Sequence, residues 1–158
     1  MKSIYITLLT LISIQNVFTQ TYVFRGNSDQ SNRLVCYIEN GVVYNNRSSY
    51  STNAICHVDG SKIYRGASTY SDDVLYTVVD DKVYEGNSEY TSDIILTIRG
   101  NKVYNGTSNY SESILMNVID GKVYRGNSKF SRDILFTIKG PLTTEELVAI
   151  WHVAMKSN

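Results

Sequence analysis

The side chains best suited to metal or nucleophilic chemistry in this 158-residue sequence are Cys36, Cys56, His57 and His152. Zinc uses such ligands, but its structural sites pair them closely, as in C-x2-4-C and H-x3-5-H. Here the cysteines are far apart in sequence and His152 lies near the C-terminus, so a zinc centre is not expected. Asp72 and Asp73 form an adjacent carboxylate pair that does not recur, because Glu112-Ser113 and Arg132-Asp133 stand at the equivalent places. No nucleophile–base–orienter set and no phosphate-cradling loop is present. The sequence therefore predicts neither an enzyme nor a bound cofactor. Fifteen basic residues balance fifteen acidic ones, so no net charge draws the chain to nucleic acid.

Binding chemistry is better represented. Thirteen tyrosines accompany one proline and one tryptophan, and they recur at fixed intervals. Tyr50, Tyr70, Tyr90 and Tyr110 are evenly spaced, with polar Asn87, Asp93 and Asn127 nearby in sequence. An aromatic ring beside hydrogen-bonding groups suits a sugar, and several copies would add avidity. These seven residues are the candidate ligand-binding set, and a cell-surface glycan or another exported protein is the candidate partner. The alternative, and the arrangement expected, is that the rings fill gaps between repeating units and bond their hydroxyls locally.

The elements that would position these residues follow from a repeat of twenty residues. It runs without insertion or deletion through six copies starting at Thr21, Gly41, Ser61, Asp81, Asn101 and Gly121. Columns are numbered from 1 at each of these residues. Column 3 is Val or Ile, column 4 Phe or Tyr, column 8 always Ser, and column 18 Ile or Val. Column 10 holds Gln30, the four tyrosines above and Phe130. All ten glycines fall either in column 6 or at the seam between copies, which marks two sharp turns per copy. Columns 14 to 18 and 2 to 5 read as strands, and the seam between them carries Asn40-Gly41 and Asp120-Gly121, strong hairpin signals.

A two-residue turn sets column 18 opposite column 3 and column 17 opposite column 4. Strict alternation then places columns 14, 16, 18 and 3 on one apolar face and columns 15, 17 and 4 on the other. This frame yields five complete hairpins, Tyr22–Arg25 and Ile134–Lys139 being left over; pairing these two would close a ring. The expected fold is all-β, a closed ring or flower of five to six hairpins. Cys36 and Cys56 share column 16 and form a candidate disulfide. Equivalent residues two strands apart in a flat sheet lie ~10 Å apart. A disulfide reaches only ~7 Å, so a bridge requires column 16 to converge on an axis. Asp73, Asp93 and Asp133 in column 13 are expected to bond turn amides near columns 8 and 11 rather than calcium.

Residues 1–19 read as a secretory signal peptide: Lys2, a short apolar run from Ile4 to Ile14, then polar residues. Secreted, periplasmic or cell-surface placement is expected, without a lipid-anchoring cysteine near the cut and without a later membrane-spanning stretch. Residues 20–140 form the repeat domain and 141–158 a capping helix. Thr143 and Glu146 make a capping box, and Leu147, Ile150, Trp151 and Ala154 an apolar stripe expected to lie over the petals. Asn46, Asn105 and Asn109 are glycosylation acceptors only in a eukaryotic secretory pathway.

Residues 121–140, GKVYRGNSKFSRDILFTIKG, resemble the repeat of the five-fold beta-flower proteins, small exported bacterial domains, as do residues 81–100. The resemblance covers residues 21 to about 156. It implies hairpin petals about a central axis and no established activity, substrate or cofactor. Copies one and two depart from the pattern at Gln30, Arg33, Asn46 and Asn53, so the first petal is expected to be less regular. A MORN-like hairpin array shares Tyr-x-Gly but has slightly longer, more glycine-rich repeats. The reading reached is a non-enzymatic structural or protein-interaction module, with a multivalent carbohydrate-binding module as the alternative.

Overall fold

The structure, a computed structural model, describes residues 20–45 and 49–156, with side chains to Ala154. The signal-peptide reading of residues 1–19 and the Asn46 acceptor lie outside the described residues.

Each copy supplies a short strand and then a long one: β1 (Thr21–Arg25), β2 (Leu34–Glu39), β3 (Val42–Tyr44), β4 (Ala54–Asp59), β5 (Lys62–Arg65), β6 (Val74–Val79), β7 (Lys82–Glu85), β8 (Ile94–Arg99), β9 (Lys102–Asn105), β10 (Ile114–Ile119), β11 (Lys122–Arg125) and β12 (Ile134–Lys139). They form one closed antiparallel barrel in chain order, with β12 joined to β1. The leftover strands do pair. Val23 faces Ile138 and Phe24 faces Thr137, the register that Val123 and Tyr124 keep with Val118 and Asn117 inside a covalent hairpin. The ring therefore has six petals, five made by turns and the sixth by hydrogen bonds alone. Among the described residues no sheet edge remains, which removes that template for pairing with other chains.

The tips follow the seam residues. Asn40 and Gly41 both have positive φ, 51° and 76°, as do Asp80 with Asp81 and Asp120 with Gly121. That is the sign required by a type I′ turn, whose twist suits the strands it joins. A Cβ on Gly41 would sit 2.5 Å from the Val58 carbonyl oxygen, so glycine is required there by space as well as by φ.

Strict alternation fails at one place per copy. Between petals, Val43 faces Cys56 and Tyr44 faces Ala54, so Ile55 has no partner; β5–β6, β7–β8, β9–β10, β11–β12 and β1–β2 shift register in the same column. This is a β-bulge, and the extra residue reverses the facing of everything before it. Column 15 (Val35, Ile55, Leu75, Ile95, Leu115, Leu135) thus packs against the inner core with columns 3, 16 and 18. Column 14 lies with columns 17 and 4 on the outer face, which corrects the two-face expectation. The first petal is less regular, as expected: β3 has three residues against four in the later short strands.

The last element, α1 (Thr144–Lys156), caps the barrel by filling it. The capping box is formed: the Thr143 amide donates to Glu146 Oε2 at 2.9 Å, and the Glu146 amide donates to Thr143 Oγ1 at 3.2 Å. Leu142 and Leu147 line a cavity with Ile98, Val118 and Ile138 at the mouth with the hairpin tips. Val153 and Ala154 line another with Val35 and Ile55 at the opposite mouth. Between Thr144 and Ala154 no residue is exposed, and Val148, Ala149 and Ile150 are almost wholly buried. A helix lying flat on a rim would leave one side in water, so α1 runs through the interior. The stripe of four residues is therefore too narrow a description: Val148, Ala149 and Val153 also join the core.

The helix sits off-centre, against β2, β4 and β5. Column 16 explains the offset. Cys36 and Cys56 are the small members, whereas Tyr76, Leu96, Met116 and Phe136 fill the rest of the ring. Tyr76 meets the helix edge-on, its ring 5.8 Å from Trp151, and its hydroxyl lies 2.9 Å from His152 Nδ1. Among the described residues no helix is long and apolar enough to cross a membrane.

Candidate functional site

Between each short strand and the next long one, columns 6 to 13 form a loop at the end of the barrel opposite the tips. Its shape is set by a few local bonds. The column 6 glycine has positive φ, as at Gly66, Gly86, Gly106 and Gly126, and its amide returns to the column 15 carbonyl of the preceding strand, as Gly86 does to Leu75 at 2.8 Å. In copies three to six the serine of column 8 accepts from the column 10 amide and donates to column 13. Tyr70 N lies 3.1 Å from Ser68 Oγ, which donates to Asp73 Oδ2 at 2.6 Å; Ser128 bridges Phe130 and Asp133 in the same way. Ser88 donates to Asp93, and Ser113 replaces the aspartate as partner of Ser108. The column 13 aspartates therefore accept from the serine hydroxyl, and the serine, rather than the aspartate, holds the turn amide. Hydroxyls of Ser88 and Ser92 hold the Asp93 carboxyl below the ordinary carboxylate range.

Column 17 fastens each loop to the outer face. Thr77, Thr97 and Thr137 donate to the carbonyls of Gly86, Gly106 and Gly26 at 2.9, 2.7 and 2.8 Å. Where the side chain is longer it reaches farther along the loop. Asn117 Nδ2 donates to the Ser128 carbonyl, and His57 Nδ1 lies 3.3 Å from that of Ser68. His57 is thus on the outer face while Cys36 and Cys56 face inward, so the structure does not bring the metal-type residues together.

Both cysteines are buried free thiols, and the candidate disulfide is not formed. Strand β3 runs between β2 and β4, which keeps column 16 residues of successive long strands two strands apart. Burial pushes both thiols up to about 12, which disfavours the thiolate form.

The fastened loops present column 10 to solvent. Tyr50, Tyr70, Tyr90, Tyr110 and Phe130 are 66–77 % exposed, and they are the large apolar side chains most open to water among the described residues. The expectation that these rings fill gaps between petals is overturned: column 4 does that, with Phe24, Tyr64 and Tyr84 buried. One exposed ring stands at the equivalent point of five loops, and Gln30 occupies the sixth. Asn87 and Asn127 are exposed beside them, whereas Asp93 is half-buried and committed to its two serines. Phe130 was not among the candidates; its column alone marks it, since phenylalanine there is the apolar equivalent of tyrosine. Arg132 lies over its ring, 5.3 Å from the centroid.

A closed ring of hairpin petals filled by its own C-terminal helix defines a beta-flower domain. The chain belongs to the 6-fold beta flower protein family, whose sequence model matches residues 23–151. Six petals in the structure agree with that symmetry, one more than in the five-fold proteins the repeat resembles. Comparison with curated proteins and with solved structures returned no match.

Proposed function

We propose that this chain is an exported, non-enzymatic interaction module that docks onto a protein partner through its rim of loop aromatics. The observation that carries this reading is the exposure of five large rings at equivalent loop positions. Leaving such groups in water costs solubility, and tyrosine is enriched where surfaces meet because it combines a rigid apolar body with a polar tip. The fastening bonds from columns 8, 13 and 17 hold the loops in shape before binding, which lowers the ordering cost of association.

A carbohydrate ligand is the second reading, supported by the same rings. It needs recurring polar groups beside each ring. Two recurring ones, the column 8 serine and column 13 aspartate, are used within the loop. An exposed hydroxyl does recur in column 11, but the exposed column 9 neighbours differ from copy to copy: Asp29, Ser49, Thr69, Glu89, Asn109 and Lys129. Such variety suits one extended, uneven partner surface better than several equal sugar sites.

The test places a photo-crosslinking amino acid at Tyr90 or Tyr110, and at the tip residue Asp81 as control, in the cells that make the protein. Discrete protein adducts from the rim positions and none from the tip are expected. Adducts equal at rim and tip would refute the reading. A glycan array on the same protein separates the alternative: sugar binding lost in a Tyr70/Tyr90/Tyr110→Ser variant would establish the lectin reading instead.

A further inference from the structure

In a six-fold repeat the places where one copy breaks the pattern are informative, because the shared residues already satisfy the fold. Four departures fall within the first two copies, the side of the barrel that borders one part of the loop-end mouth. Column 13 is Arg33 where three other copies hold a serine-bonded aspartate, and column 10 is Gln30 where the others hold a ring. Column 16 is reduced to Cys36 and Cys56, and α1 leans to that side. A cavity of about 560 Å³ opens there, within the range of small-molecule sites. It is lined by exposed Arg25 and Arg33 and by Asn45, and by Val35, Ile55 and Val153 of the inner core.

Two petals further round, an equivalent cavity is built differently. Its lining includes Glu85 as well as Arg65, and Tyr76 with His152. Among its described lining residues the first cavity has neither an acid nor a large aromatic side chain. Among the described residues the one ion pair joins Lys139 to Asp29 at 3.6 Å, and neither Arg25 nor Arg33 meets a carboxylate within 4 Å. Guanidinium groups are weakly hydrated forks that match carboxylate and phosphate oxygens. The core residues of the lining are aliphatic.

We infer that the cavity between the first two long strands and the C-terminal turns of α1 binds a single anionic amphiphile, a phosphate or carboxylate head on an alkyl chain. The head lies between Arg25 and Arg33, and the chain covers Val35 and Val153. The site is independent of the aromatic rim.

Calorimetric titration with dodecyl phosphate and with dodecanoate, below their micelle-forming concentrations, tests this and distinguishes the two heads. One ligand per chain is expected for at least one of them. Arg33→Asp and Arg25→Glu should each weaken binding at least tenfold. Other petals carry those residues at the same columns (Asp73, Glu85), so the fold accommodates the changes. Arg125→Glu, the same charge change on another petal, should leave affinity unchanged. The inference is overturned if neither amphiphile binds, if several bind per chain, or if Arg125→Glu weakens binding as much as Arg33→Asp. It is also overturned if dodecyl maltoside binds as tightly, since the head would then be irrelevant, or if inorganic phosphate does, since the aliphatic lining would then be unused.

Discussion

The hairpin tips offer a graded test of the register on which the barrel depends. Gly41 and Gly100 both have positive φ, 76° and 58°, but differ in surroundings: an added Cβ meets the Val58 carbonyl oxygen at 2.5 Å in the first and nothing within 4 Å in the second. For Gly100→Ala only the backbone matters. A left-handed alanine costs ~1–2 kcal/mol, and restricting the unfolded chain returns ~0.4–1 kcal/mol, a net loss of ~0.5–1 kcal/mol. Gly41→Ala carries the same loss plus the strain of displacing a strand carbonyl, ~1–3 kcal/mol more. Asp81 already bears a Cβ at the corner equivalent to Gly41, with φ 62°. Asp81→Gly should therefore stabilise, by a few tenths to ~1 kcal/mol after the entropy of glycine is subtracted. Urea unfolding followed by Trp151 fluorescence reads all three, with unchanged m-values as the condition for comparison. The reasoning fails if Gly41→Ala is no worse than Gly100→Ala, or if Asp81→Gly destabilises.

Other outcomes follow from the core and the loops. Ile150→Ala should cost ~2–5 kcal/mol on chemical denaturation, the range for a fully buried aliphatic side chain, because Ile150 is 2 % exposed inside the barrel; a loss below ~0.5 kcal/mol would place α1 on the surface. Cys36 and Cys56 should resist a thiol reagent at mildly alkaline pH in the native protein and both react once it is unfolded, as thiols held at about 12 in a buried layer must. Asp93, whose folded pKa is depressed by Ser88 and then Ser92, adds stability that is present above its ordinary value of 3.8 and is lost as pH falls through the folded value. Removing the larger cause with Ser88→Ala should raise the Asp93 pKa, read by NMR titration of its side chain, and weaken that part of the acid dependence.

Much of this architecture is written openly in the repeat. The twenty-residue period, the seam dipeptides and the hydrophobic columns specify hairpins and their register, and the capping box specifies where α1 starts. Ring closure was an option that the leftover strands allowed, and only their pairing selected six petals over five. Unbroken alternation hides the bulge; uniformly apolar column 15, directly before apolar column 16, is the signal of two neighbouring residues facing one core. A stripe of four residues looks like one face of a helix and so suggests a lid. Val148, Ala149 and Val153 fall outside that stripe and show a helix surrounded by apolar neighbours. The rim was the hardest part to read: tyrosines in columns 4 and 10 recur equally, and sequence alone does not say which set is buried. Position relative to the bulge and the loop bonds decides it.

The sixth petal has a consequence for how the molecule is made. Its two strands, β1 and β12, come from opposite ends of the repeat array, so Val23 waits for Ile138 across almost the whole chain. Contacts so distant in sequence form slowly, because the chain between them must be ordered first. Until then the growing sheet has two bare edges, and α1, which follows β12, has no enclosure to enter. A chain stopped before Ile134 would remain an open ribbon able to add strands from its neighbours. Assembly is thus gated by the arrival of the final copy, and any partial product is prone to oligomerise.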